Sequence, residues 1–386
     1  MLFCLGNSMV WANDSLLQQQ LLNRLQWLQS GRYDTYFKPG IFPTYRQYTG
    51  NKGSVKKDEC IFFTGLIGLT LNACKPYLPT AQQQQCDKMI HQIRQIAPKY
   101  INQKGRGTYN FWPTDTPVIF PNAGWLNWFD KTNALADDLD DTAIMLLALQ
   151  TSSDTVKAIH ALMQQFTNSE KTPVHNTLPN YQKIPAYSVW FGKKMLVEFD
   201  VCPMMNVLLM VQQYGLPWRS ADSAALQMLT TMLENDHHLT HAGELSIYYK
   251  KPAIILYHLA RLMQVKPIPT LEKYKQKLIK DALALYQKSD NIIEKIMLST
   301  ALLKWGFVPP KLVVHLKDGN LLQSVEHAAY SFFIADWVCI MPPKMAAKFT
   351  NKSITKFDFY CPAYYNVLLL ENVVEWKRYR QSLTNL

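Results

Sequence analysis

The stretch ADDLDDTAIMLLAL, residues 136–149, sets four aspartates within five positions and runs at once into an apolar segment. The plain reading is a helix start, where carboxylates accept hydrogen bonds from free backbone N–H groups and meet the positive end of the helix dipole. One aspartate suffices for that. Each further carboxylate adds repulsion and pushes its neighbours toward the protonated form, and clusters that bear such a cost mark sites. Two patterns overlap here. Asp137, Asp138 and Asp141 read D-D-x-x-D, with the first and last on one helix face, a hard-oxygen cradle for magnesium on a diphosphate. Asp138, Asp140 and Asp141 read D-x-D-D, followed by Thr142-Ala143.

Working outward, apolar residues recur at helical spacing in about a dozen segments. They are 15–30, 57–75, 82–101, 138–150, 153–167, 200–214, 220–234, 250–264, 271–288, 290–305, 323–338 and 362–380. Strand signals are scarce. The segments are of two kinds. CIFFTGLIGLTLNAC (60–74), CPMMNVLLMVQQYG (202–215) and PAYYNVLLLENVVEW (362–376) are apolar nearly all round, as are those starting near 140, 252 and 292. AQQQQCDKMIHQIRQIAPKY (81–100) and LEKYKQKLIKDALALYQK (271–288) have a polar side. A helix apolar all round is enclosed, and an amphipathic one covers a surface. Six inner helices alternating with about six outer ones predict an all-α fold, a single (α/α)6 toroid spanning 13–386. The long connections 102–137 and 168–199 would lie at one rim, and their aromatic content points to a site rather than disorder.

DLDDTAIMLLAL, residues 138–149, resembles the acid motif of class II terpene cyclases, the squalene–hopene and copalyl diphosphate synthase group. QKGRGTYNFW, residues 103–112, resembles one copy of the Gln-to-Trp repeat of the squalene cyclases. The resemblance implies that Asp140 is the Brønsted acid that protonates an alkene or epoxide, with Asp138 and Asp141 holding its geometry. It implies an inner helix of an α/α toroid at 138–149, and an apolar or isoprenoid small molecule as substrate. The physics agrees: carboxylates crowded in an apolar pocket stay protonated, and aromatic faces stabilise carbocations. Candidate substrate-binding residues are Tyr109, Trp112, Trp125, Trp128, Tyr187, Trp190, Asp200, Tyr249, Tyr257 and Tyr364. The chain also resembles single-toroid bacterial proteins of the terpenoid-cyclase-like fold, for which a fold and no activity follows.

The D-D-x-x-D spacing resembles the first metal motif of class I terpene synthases, but the second motif is out of register in NDHHLTHAGE, residues 235–244. No cofactor is therefore expected, with magnesium needed only for a diphosphate substrate; Asp137, Asp138 and Asp141 are its candidate ligands. His237, His238 and His241, with Asp236 and Glu244, form a second metal candidate that lacks the glutamate of a zinc-protease motif. Glu198 and Asp200 precede another inner helix, and paired carboxylates on a toroid rim also serve glycan hydrolysis. A secreted glycan-active enzyme is thus the competing enzyme reading, and a non-catalytic binding or effector protein the third.

The net charge of +11 comes from scattered lysines and arginines, not the patch or stripe of a nucleic-acid footprint. Residues 1–12 are apolar and end in Val10-Trp11-Ala12, a candidate signal peptide that predicts a periplasmic or secreted protein, with a cytoplasmic one as the alternative. No segment has the length of a transmembrane helix. In an oxidising compartment some cysteines could pair, for instance among Cys60, Cys74 and Cys86.

Overall fold

The computed structural model describes residues 7–9, 14–49, 55–116, 120–122, 135–192, 195–315, 320–337 and 355–384. The chain is mostly helical. Twelve helices of six or more residues are described: α1 (Asp14–Gln29), α2 (Phe62–Cys74), α3 (Thr80–Ile96), α4 (Leu139–Ala148), α5 (Ser153–Met163), α6 (Val201–Gln213), α7 (Ser220–Glu234), α8 (Pro252–Val265), α9 (Lys275–Lys288), α10 (Ile292–Lys304), α11 (Leu321–Glu326) and α12 (Pro362–Thr384). The even-numbered helices pack each on the next, and α12 returns to α2. The odd-numbered ones lie against them: α1 on α12, α3 on α2, α7 on α6, α9 on α10 and α11 on α12. Burial follows the two sequence patterns. Every residue of α4 is buried, whereas α3 buries one stripe, including Cys86, Met89, Ile90 and Ile93.

Local chemistry sets the helix ends that matter for the site. Asp138 caps α4 by accepting from Asp141 N at 2.8 Å, and Gln150 ends the turn beyond it with a left-handed φ of 49°. Asp200 caps α6 through Cys202 N at 2.9 Å, and Asn291 caps α10 through Ile293 N at 2.9 Å. α2 and α4 approach closely because Gly65 has no side chain. A Cβ there would stand 2.8 Å from Ile144 Cγ2 and 2.9 Å from Met145 Sδ.

The expectation of an all-α chain misses a four-stranded antiparallel sheet, in the order β3 (Lys56–Lys57), β2 (Tyr45–Tyr48), β6 (Lys356–Tyr360), β5 (Phe333–Asp336). Tyr45 pairs with Tyr360, and Phe333 with Phe359. The helix expected over 323–338 stops at Glu326, and its second half is β5. In SFFIADW aromatic and branched residues favour a strand, and the partner that decides the matter, KFDFY, lies some twenty residues on. β6 shows the period-two burial of a half-buried strand, with Phe357 and Phe359 inward. Residues 7–9 of the candidate leader form β1, paired antiparallel with β4 (Val313–His315). Cys60, Cys74 and Cys86, expected as partners for one another, are separate buried thiols, one before α2, one at its end and one inside α3. Among the described residues no helix is long and apolar enough to cross a membrane.

Candidate functional site: carboxyl groups on an aromatic cavity

Three chain segments meet at the start of α4. Asp138 N donates to Tyr109 O at 3.2 Å, Leu139 N to Val189 O at 2.7 Å, and Phe191 N to Asp137 O at 3.0 Å. The two long connections thus grip the aspartate run from both sides, and the four carboxylates acquire four different surroundings.

Asp137 is fully buried and faces away from the others. Arg106 Nε donates to its Oδ2 at 2.8 Å, Arg106 Nη2 reaches Oδ1, and the Thr108 hydroxyl donates to Oδ2. Such a carboxylate is paired and structural. The cradle expected from Asp137, Asp138 and Asp141 is accordingly not brought together: among the described residues, three ligand atoms of this kind gather only at Asp236, His238 and Asp281.

Asp138 and Asp141 form a pair. Burial raises both pKa values, and on Asp141 the charge of Asp138 raises it further. No N–H or O–H donor reaches either oxygen of Asp141. An anion without donors in an apolar setting is unfavourable, so the pair retains a proton. Asp140 differs. Asn206 Nδ2 donates to its Oδ1 at 2.7 Å, and the Tyr249 hydroxyl donates to Oδ2. Burial raises its pKa to about 6, while the bonds from Tyr249 and Asn206 and the Arg261 charge hold it down. Arg261 is itself buried on α8, and its two terminal nitrogens have no protein partner.

Asp138, Asp140 and Asp141 open on one narrow cavity, whose interior leaves about 50 Å³ for the centres of water-sized groups. Its walls are mainly rings: Phe62, Phe111, Trp112, Trp190, Tyr248 and Phe333, with Asp336 as a further carboxyl. Phe62 and Phe333 stand 4.7 Å apart between centroids, Phe111 stacks on Phe333 at 5.5 Å, and Tyr248 stacks on Phe333 at 5.8 Å. A second buried group fixes the wall. Trp112 Nε1 donates to Asp58 Oδ1 at 2.7 Å, and Asp58 is paired with Arg46 of β2.

Of the residues expected to bind substrate, Trp112 and Trp190 line this cavity. Tyr249 holds Asp140. Asp200 serves as the α6 cap, accepting also from Ser246 Oγ at 2.7 Å and Tyr248 N at 2.9 Å; burial raises its pKa to about 7. Tyr109 is buried and receives the Thr142 side chain on its backbone N–H, which donates at 3.0 Å. Tyr187 is drawn elsewhere, donating to Asp222 at 2.6 Å, and Tyr257 donates to Glu371 at 2.5 Å. Tyr364 packs against Phe332 and Phe63. Trp125 and Trp128 lie outside the described residues. Glu198 accepts from Trp190 Nε1 at 2.7 Å and Tyr248 OH at 2.6 Å, so it orients two wall residues rather than lining the cavity.

Sequence reasoning missed Asn206, Phe333 and Asp336. Asn206 was legible as the lone amide within CPMMNVLLMV; Phe333 and Asp336 were hidden inside a segment read as helix. Compared with known proteins, the chain matches no family model and no curated sequence.

Proposed function

We propose that the chain is a single α/α toroid of the terpenoid-cyclase type, and that it protonates and cyclises an isoprenoid or related apolar alkene with Asp140 as the acid. The even-numbered helices that close on themselves, flanked by the odd-numbered ones, support the architecture. The observation that carries the function is Asp140 itself, a cavity-facing carboxyl whose two oxygens each receive one hydrogen bond. Protonating an unactivated alkene requires an acid that keeps its proton until transfer and yields a stabilised anion afterwards. Burial supplies the first property, and Tyr249, Asn206 and the Arg261 charge supply the second.

The π electrons of the alkene take the Asp140 proton to form a C–H bond, which leaves a tertiary cation and the Asp140 carboxylate. Internal double bonds then attack the cation, and a final proton loss or water addition ends the sequence, without net redox change. The ring faces of Phe62, Phe111 and Phe333 attract the migrating charge while offering no lone pair to trap it. The proton retained by Asp138 and Asp141 lies beside Asp140 and can restore it. Magnesium enters this reading only as the escort of a diphosphate-bearing substrate.

The test incubates the full chain with linear polyprenyl alcohols, diphosphates and hydrocarbons and identifies products by gas chromatography and mass spectrometry. Cyclised product from wild type, lost in a folded Asp140→Asn variant, is the expected result. Absence of turnover on all of them, together with thermal protection by oligosaccharides, replaces this reading with the glycan one.

A further inference from the structure

We propose that Asp236, His238 and Asp281 form a binding site for one divalent transition metal of the zinc class, which pins the turn after α7 to helix α9. One ligand atom from each of the three lies within 4.8 Å of the others, and His238 Nε2 stands 2.9 Å from Asp281 Oδ2. The His238–Asp281 spacing suits two ligands on a single ion with metal–ligand bonds of about 2.0–2.2 Å, and rotation of the exposed Asp236 side chain brings in the third.

The backbone presets the arrangement. Asp236 adopts a left-handed φ of 56°, uncommon for a residue with a side chain. Its carbonyl accepts from Leu239 N at 3.0 Å and Thr240 N at 3.1 Å, so the carboxylate projects from a closed turn. His238 is fully buried, and its Nδ1 makes no competing bond. Asp281 is mostly covered, with 15% of its side chain exposed, whereas Asp236 is 55% exposed. One wall is therefore rigid and the opposite one open to solvent, the geometry an arriving ion needs.

The other charged and titratable groups nearby are accounted for. His237 Nδ1 is bonded to Tyr181 OH at 2.7 Å, His241 Nδ1 to Thr240 Oγ1 at 2.9 Å, and Glu234 to Tyr274 OH at 3.1 Å. Lys277 of α9 is the rival. It pairs with Asp236 and donates to Leu233 O at 2.8 Å. A doubly charged ion displaces it from Asp236, and the Leu233 carbonyl remains as its partner. One imidazole with two carboxylates selects zinc, cobalt or nickel over magnesium or calcium, which take oxygen alone. None of these residues lines the aromatic cavity, so the site stands or falls apart from the proposed chemistry.

The test strips the full chain with a chelator and titrates it with zinc by calorimetry and with cobalt by visible absorption. One zinc per chain is expected. His238→Gln and Asp281→Asn each weaken it about 10–100-fold, as loss of an orienting or ligating group does. Lys277→Met, which removes the rival cation, tightens it. Asp236→Asn, at an exposed position whose left-handed backbone asparagine tolerates, keeps the fold if His238→Gln does not, and also weakens binding. Absence of saturable binding at one zinc per chain overturns the proposal, as does equal affinity in wild type, Asp236→Asn and Asp281→Asn.

Discussion

The Tyr249 hydroxyl donates its proton to Oδ2 of Asp140 across 109 positions of sequence, and so ties the loop before α8 to the first turn of α4. Because that bond stabilises the carboxylate, it makes Asp140 a stronger acid than burial alone permits. Tyr249→Phe keeps the ring and removes the bond. The Asp140 pKa then rises, read by the carboxyl carbon shift in NMR titration. In the proposed reaction turnover falls about 100-fold, the low end of what acid catalysis contributes.

The pH dependence follows from the same group. Asp140 must carry its proton to act, and its pKa is about 6. Activity is therefore full well below that value and declines as pH rises through it. Stability runs the same way. The folded pKa lies above the ordinary aspartate value, so the folded state binds the proton more tightly. This contribution is complete below about pH 4 and is lost as pH rises through about 6. Asp200, at about 7, extends the loss upward. Urea midpoints measured between about pH 5 and 8 should fall with pH, and the slope should flatten in Asp140→Asn.

Arg106 compensates the fully buried Asp137 while keeping about a fifth of its own side chain exposed. Arg106→Met leaves that carboxylate charged and unpaired beneath the site. The expected cost is about 3–5 kcal/mol of unfolding free energy, measured by urea denaturation. The double variant Arg106→Met with Asp137→Asn should recover part of it.

Gly65 lies where α2 and α4 pack closely. Gly65→Ala forces the new methyl onto Ile144 and Met145, whose backbones also carry the aspartate run. Against the gain in helix propensity, overpacking of this kind costs about 1–3 kcal/mol. A lowered melting temperature checks it, and unchanged stability would show that the two helices can part without strain.

The helices were largely legible in the sequence because the enclosed ones are apolar on every face. α7 spans 220–234, as its periodicity predicts, and α6 and α10 differ from their expected bounds by a residue or two. Asp138, Asp140 and Asp141 were legible as a group from their crowding alone. What separated them was not. Asp137 takes its ion pair from Arg106, thirty-one positions upstream, and Asp140 takes its partners from α6 and from the loop before α8. Spacing carries no trace of such partners. β5 shows the same limit in the fold: FFIAD suits either element by composition, and only pairing with β6 decides it.

The sheet joins residues from near both ends of the described chain, with β2 at 45–48 against β6 at 356–360, as α12 meets α2. Phe62, at the start of α2, faces Phe333 of β5. During synthesis, then, the cavity is finished last.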